Sequence, residues 1–134
     1  MNKVKIIECP RDAMQGIKSH FIATEAKAKY INSLLKVGFD TIDFGSFVSP
    51  KAIPQMRDTA EVLSKLDLSS TNSKLLAIIA NVRGANDAAQ FEEIDYLGYP
   101  FSISENFQMR NTHKTINQSI ETLQEIISIA TRSN

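Results

Sequence analysis

Residues able to do acid, base or metal chemistry are sparse in this sequence, and the most suggestive stand next to each other. Arg11-Asp12 follows the short apolar segment Val4 to Glu8, and Gln15 comes three residues later. A carboxylate at such a place can ligate a hard divalent cation through oxygen. A guanidinium beside it can clamp a carboxylate or hold an oxygen on which negative charge develops. Asp43 stands in a second apolar segment, Thr41 to Phe44, with Ser46 and Lys51 beyond it. If Ile42 and Phe44 face a helix layer, Asp43 faces the mouth of a sheet. A carboxylate buried there needs a partner, and Arg11 at the neighbouring strand end is the candidate. The two histidines, His20 and His113, form no His-x-His pair and read as solvated loop residues. The single cysteine, Cys9, reads as a buried small residue and not as a nucleophile.

These residues must be positioned by regular elements, and the apolar period changes along the chain in a consistent order. Val4 to Glu8 reads as a buried β-branched strand. Thr24 to Val37 has helical spacing, with Thr24 as an N-cap and Gly38 as the stop. Thr41 to Phe44 is a second strand, and Pro54 to Leu66 a helix. Leu75 to Ile79 is a third strand followed by a short helix at Ala85 to Phe91. Ile94 to Leu97 is a fourth strand, continuing past Pro100 to Ile103. Thr115 to Ile129 is an amphipathic helix carrying Ile116, Ile120, Leu123, Ile126, Ile127 and Ala130. Asp67 to Lys74 is a polar surface loop. Strands alternating with helices imply parallel βαβ units with right-handed crossovers. In such folds the chemistry sits at the strand C-termini.

Composition bounds the function classes. The chain has 134 residues, with Lys plus Arg equal to Asp plus Glu at 15 each. A neutral chain gives no electrostatic footprint for nonspecific nucleic-acid binding. The apolar runs, such as Leu75 to Ala80, are too short to span a bilayer. Neither nucleic acid nor membrane is therefore an expected partner. A chain with one cysteine and no apolar leader is expected in the cytoplasm. No composition shift marks a second domain, so residues 1–134 read as one unit.

The motifs carry a family resemblance. Arg11-Asp12 with Gln15 resembles the R-D-x-x-Q signature of the DRE-type metal-dependent TIM-barrel lyases and synthases. Ser46-Phe47-Val48-Ser49-Pro50-Lys51 with Pro54-Gln55-Met56 is similar to the hydroxymethylglutaryl-CoA lyases within that group. Asn81-Val82-Arg83-Gly84 resembles that family's third turn. Ser104-Glu105-Asn106-Phe107 with Arg110-Asn111 resembles its fourth βα loop. The likeness runs from Val4 to about Ala130.

The resemblance implies an α/β fold that is the N-terminal half, four βα units, of a (β/α)8 TIM barrel. It implies a carbon-carbon lyase: divalent-metal-dependent retro-aldol cleavage of a 3-hydroxyacyl-CoA to acetyl-CoA and acetoacetate, a reaction of leucine degradation and ketone body metabolism. The implied cofactor is a divalent metal, Mg2+ or Mn2+, and the implied partner is a coenzyme A ester substrate. Asp12 corresponds to a metal-binding aspartate and Arg11 to the arginine that polarises the acyl oxygen. Gln15 lines the same pocket. Asp43 stands where the family usually has a glutamate beside that arginine, and Ser46 lies near the thioester. Arg110 and Asn111 fall where the family contacts coenzyme A.

The first motif departs from the family by one residue before Pro10, and by Ala13 and Met14 in place of Gly and Leu. The family's His-x-His pair, metal-binding asparagine and reactive-cysteine loop have no counterpart in these residues. A full barrel takes about 250 residues, so the expectation is a truncated chain with negligible lyase activity of its own. The alternative is a non-catalytic half-barrel that pairs as a homodimer through its open sheet edges, or that binds an acyl-CoA. A flavodoxin-like domain is the weaker third reading, because no Gly-rich phosphate loop follows the first strand.

Overall fold

The computed structural model describes residues 4–132. Four parallel strands form one sheet in the order β1-β2-β3-β4: β1 Ile7–Glu8, β2 Thr41–Ser46, β3 Lys74–Ile78 and β4 Tyr96–Gly98. The helices are α1 Pro10–Gln15, α2 Thr24–Leu35, α3 Thr59–Leu63, α4 Val82–Ala88, α5 Glu105–Thr112 and α6 Ile116–Arg132. Sequential parallel strands need a crossover each, and α2, α3 and α4 supply them. The sheet therefore presents all its strand C-termini on one rim, as the alternating pattern requires.

The core lies between the sheet and its helices. Ile31 and Leu35 of α2 meet Ile42 and Phe44 of β2, Leu75 and Ala77 of β3, and Val62 and Leu63 of α3. A second cluster joins Ile79, Ala85, Ala88 and Ile126, tying α6 to α4. All six residues of β2 are buried, as expected for a strand with neighbours on both sides. The register shifts between Asp43 and Gly45, an irregularity in the pairing with β3. A Cβ at Gly45 would lie 2.5 Å from Thr59 Cγ2. Glycine there lets Thr59 Oγ1 accept from the Ser46 N–H at 3.0 Å and donate to Met56 O at 2.8 Å. That pair of bonds fixes the end of β2.

Several expected elements change. The segment from Val4 reads as a buried strand, but only Ile7–Glu8 pairs, and Val4, Ile6 and Ile7 are exposed. The reason is position: β1 is an edge strand with β2 as its only sheet neighbour among the described residues. Two stretches read as loops form helices. Pro10, at the first helical position, pre-sets φ for α1. Ser104 caps α5 by accepting from the Phe107 N–H. The helix expected from Pro54 splits into a 3-10 turn, Pro54–Met56, and α3. Asn81 starts α4 early by accepting from the Gly84 N–H at 2.9 Å. The fourth strand ends at Gly98 rather than passing Pro100, which has no N–H for a ladder. Among the described residues no helix is long and apolar enough to cross a membrane.

A lysine that periodicity places on α2 lies 2% exposed inside the fold. The Lys27 ammonium donates to Asp58 Oδ1 at 2.6 Å and to the Gln55 carbonyl, and sits 4.0 Å from the Phe21 ring centroid. Asp58 takes a second bond, from Thr24 Oγ1 at 2.7 Å. Gln55 extends the network: its Nε2 donates to Ile17 O and His20 O, and its Oε1 accepts from Ile22 N–H, each at 2.9 Å. The loop that returns from α1 is thus stapled to the β2–α3 connection. Removing one partner of a buried pair leaves the other charge unpaired, which costs about 3–5 kcal/mol. Asp58→Ala should lose roughly that much stability, and Lys27→Met combined with Asp58→Ala should recover most of it in urea denaturation. A single variant as stable as the parent would show that the pair is not a stabilising link.

Candidate active site

The site begins where β1 turns into α1. Pro10 opens the helix at once, so Arg11 and Asp12 fall in its first turn at the sheet rim. Asp12 and Gln15 are three apart and share a helix face. Gln15 Nε2 donates to Asp12 Oδ1 at 2.9 Å, and Arg11 Nη1 donates to the same oxygen at 3.0 Å. On its inner side Arg11 grips Asp43. Its Nε donates to both carboxylate oxygens at 3.1 Å, and its Nη2 donates to Asp43 Oδ2. The partner proposed from strand alternation is therefore the partner found.

Burial grades this cluster from inside to outside. The Asp43 side chain is 5% exposed, that of Arg11 12%, and that of Asp12 65%. Burial pushes the Asp43 carboxyl above its ordinary range, while the hydrogen bond and charge of Arg11 pull it back. Burial also opposes the charge on Arg11, but its hydrogen bond and attraction to Asp43 outweigh that and hold the guanidinium pKa above normal. The fork geometry suits the pair, since a guanidinium offers several fixed donors to one carboxylate. Gln15 Oε1 is buried and has no hydrogen-bond partner. An acceptor left so in a packed site is suited to a donor that arrives with a ligand.

The structure brings Arg11, Asp12, Gln15 and Asp43 together, and it separates the other candidates. Ser46 is buried at the end of β2, with its Oγ accepting from the Val48 N–H at 3.2 Å. It lines an adjacent cavity of about 320 Å3 with Phe47, Met56, Arg57, Arg83 and Phe91. Arg110 and Asn111 are exposed on the last turn of α5, on the far side of β4 in sheet order. Their side chains make no hydrogen bond to the described residues.

Cys9, expected to be buried, is exposed. It precedes Pro10 at the end of an edge strand, where no neighbouring element covers it. Partial burial and the nearby Asp43 charge push its thiol pKa up, against thiolate formation. His20 is exposed beside Ser19, and His113 closes α5 in the left-handed conformation, φ 56°. The supports that sequence reading missed are Lys27, Gln55, Asp58 and Thr59. The Pro54-Gln55-Met56 motif was the only signal pointing to any of them.

A divalent cation takes several oxygen ligands. Both Asp43 oxygens are engaged by Arg11, so Asp12 is the one carboxylate of the cluster that can turn outward. The described residues contain no group of three or more His, Cys, Asp and Glu able to hold a metal ion. One carboxylate does not make such a site, and no step through a metal is derived from these residues.

Comparison with known proteins agrees with the motif resemblance. No protein-family model matches the chain. The hydroxymethylglutaryl-CoA lyase of Macaca fascicularis mitochondria is 35% identical over 135 residues, covering 98% of this chain. The Bacillus subtilis hydroxymethylglutaryl-CoA lyase is 33% identical over 133 residues, again covering 98% of the chain. The crystal structure of a B. subtilis HMG-CoA lyase superposes with TM-score 0.89 at 33% identity, over 98% of this chain and 44% of that one. An HMG-CoA lyase of A. baumannii, solved in complex with coenzyme A and 3-methylmalate, superposes with TM-score 0.83 at 34% identity, over 92% and 40%. The chain spans 40% of the length of the macaque relative and 44% of the B. subtilis one. The chain is a relative of the hydroxymethylglutaryl-CoA lyases, and its four parallel βα units match part of their barrel.

Breaking the central pair should be visible in stability and in its pH dependence. Arg11→Met removes the hydrogen bonds and positive charge that oppose burial at Asp43. Its carboxyl then rises further above the unfolded value. The folded variant binds that proton more readily than the unfolded chain, so its stability rises as pH falls through the raised pKa. Arg11→Met should be about 3–5 kcal/mol less stable near neutral pH, with a deficit that shrinks on acidification. Denaturant titrations at neutral and mildly acidic pH test this, and a deficit independent of pH would refute it.

Proposed function

We propose that this relative of the hydroxymethylglutaryl-CoA lyases carries the enolate-stabilising part of a carbon-carbon lyase site for a 3-hydroxyacyl-CoA. The observation that carries the reading is the orientation of Arg11. Asp43 engages its Nε and Nη2, so Nη1 is the edge left at the rim beside Asp12. In a retro-aldol cleavage a general base takes the 3-hydroxyl proton as the bond between C2 and C3 breaks, and a proton is later returned to C2. C3 becomes a carbonyl, and the released electron pair moves onto the thioester carbonyl as an enolate. A preorganised cation at that oxygen stabilises the charge as it develops, without reorganisation at the moment of reaction. Arg11 is suited to that part, and Asp43 acts as its positioning residue rather than as a base, since both carboxylate oxygens are occupied.

Gln15 supports the same reading, because its unpaired Oε1 is available to a donor on the acyl group. Asp12 is the residue that would meet a divalent cation, Mg2+ or Mn2+, when one is bound. Ser46 and its cavity, with Arg110 and Asn111, are proposed contacts for the coenzyme A part of the ester. The likeness to a lyase solved with coenzyme A supports that choice of ligand class. Residues 1–134 act as one unit in this reading. The compartment proposed is the cytoplasm, supported by the single cysteine.

The test is calorimetric titration of the purified chain with 3-hydroxy-3-methylglutaryl-CoA. Arg11→Met should weaken binding on the order of tenfold, the scale of a lost charge-assisted hydrogen bond. Arg11→Lys keeps the charge but not the fork, and should fall between the two. With Mg2+ added, acetyl-CoA release by these residues alone should be negligible, because one outward carboxylate does not hold the ion. Binding indifferent to Arg11 would overturn the assignment.

A further inference from the structure

Helix α1 is fastened at both ends, and the site described above uses only the first fastening. Arg11 ties its first turn to Asp43 of β2. At the other end the Ile17 N–H closes on Met14 O at 3.0 Å. The chain then returns to α2 through residues 18–23, which form neither helix nor strand. Gln55 meets this stretch from the 3-10 turn that packs against α1, and it is 5% exposed. One side-chain amide holds three backbone groups. Its Nε2 donates to Ile17 O and His20 O, and its Oε1 accepts from the Ile22 N–H, each at 2.9 Å.

The loop offers this side chain two acceptors and one donor, and a primary amide carries the matching two donors and one acceptor. Turning the amide over would set Oε1 against two carbonyl oxygens, so its orientation is fixed. A carboxylate here would face both carbonyls without a donor, and an apolar side chain would leave all three groups without this partner. Gln55 is itself held in place. Lys27 of α2 donates to its carbonyl and to Asp58 Oδ1. Phe21, in the same loop, has the Lys27 ammonium 4.0 Å and the Arg57 guanidinium 3.7 Å from its ring centroid.

We propose that Gln55 is a positioning residue for the corner formed by Arg11, Asp12 and Gln15. Gln15 stands two residues before Ile17, the first group that Gln55 holds. Its Nε2 reaches Asp12 Oδ1, the oxygen that Arg11 Nη1 also reaches. Buried Met14 seats α1 against the core, and the two fastenings set its polar face. A helix of six residues does not keep such a setting by its own hydrogen bonds. Gln55 touches no ligand and acts through Ile17. What the corner binds follows from the acyl-CoA reading above, whereas how it is held follows from the loop geometry alone.

The test uses three variants of the purified chain, each checked for folding by circular dichroism. Gln55→Met keeps the side chain long and removes all three bonds. Gln55→Glu loses both donors at neutral pH and regains one when its carboxyl is protonated. Asn32→Ala is the control, because Asn32 makes a similar staple, to Lys65 O at 3.0 Å and from the Asp67 N–H at 2.8 Å, that involves neither α1 nor its loop. Without ligand, the Gln15 side-chain amide signals in 15N NMR should shift and lose protection from solvent exchange in Gln55→Met, and stay in place in Asn32→Ala. In Gln55→Glu they should be displaced at neutral pH and return toward those of the parent at mildly acidic pH, each compared with the parent at the same pH. The Glu variant decides the matter if Gln55→Met does not fold. In calorimetric titration with 3-hydroxy-3-methylglutaryl-CoA, Gln55→Met should bind on the order of tenfold more weakly than the parent, and Asn32→Ala should bind as the parent does. Gln15 signals indifferent to Gln55→Met, equal displacement in Asn32→Ala, or signals in Gln55→Glu that stay displaced on acidification would each overturn the positioning role. A parent chain that binds no acyl-CoA, with Gln15 signals that still follow Gln55, would overturn the acyl-CoA reading and support the positioning role.

Discussion

A carboxylate buried inside a parallel sheet must be matched by a cation held at the right height, and Asp43 imposes that demand here. It sits in β2, which is buried along its whole length, and the cation comes from the first turn of the helix after β1. The Arg11 grip therefore couples two βα units through one side chain. It also decides which nitrogen remains at the rim. A surface ion pair contributes little and leaves its partners mobile. A pair at 12% and 5% exposure is fixed in geometry, because leaving either charge alone is costly.

That arrangement needs α1 to stay in place, and α1 is only six residues long. Helices this short draw little from their own hydrogen bonds and depend on tertiary contacts. The buried Met14 of α1 joins the core beside β2, and the polar network holds the loop that follows the helix. Gln55 holds Ile17, His20 and Ile22 by their backbones, and Lys27 holds Gln55 and Asp58. Thr59 closes the same region onto the end of β2. The chemistry proposed for Arg11 thus rests on polar groups that never reach the rim.

The same sheet that concentrates polar groups at its centre leaves apolar ones at its ends. Central strands are covered by helices and edge strands are not, so identical β-branched residues have opposite fates. Ile42 in β2 is fully buried, and Ile7 in β1, its diagonal neighbour, is exposed. On α6 the division falls within one helix: Ile126 packs among α4 residues, whereas Ile120 and Ile127 are exposed.

Much of this was legible in the residues themselves. The alternation of period-two and helical segments set the order of strands and helices, since side-chain direction follows local backbone geometry. The Arg11-Asp12-Gln15 and Ser46-to-Met56 motifs identified the relatives, and strand alternation paired Arg11 with Asp43. Tertiary structure decided what depends on neighbours distant in sequence. It buried Lys27, which periodicity treats as a surface lysine, because Gln55 and Asp58 meet it from 28 and 31 residues away. It exposed Cys9 and Val4, because the strand they flank lies at an edge. It turned the stretches after β1 and β4 into helices through Pro10 and Ser104, and it placed Ser46, Arg110 and Asn111 apart from the Arg11 cluster. Local sequence specifies backbone conformation and facing, whereas burial and partnership are properties of the packed chain.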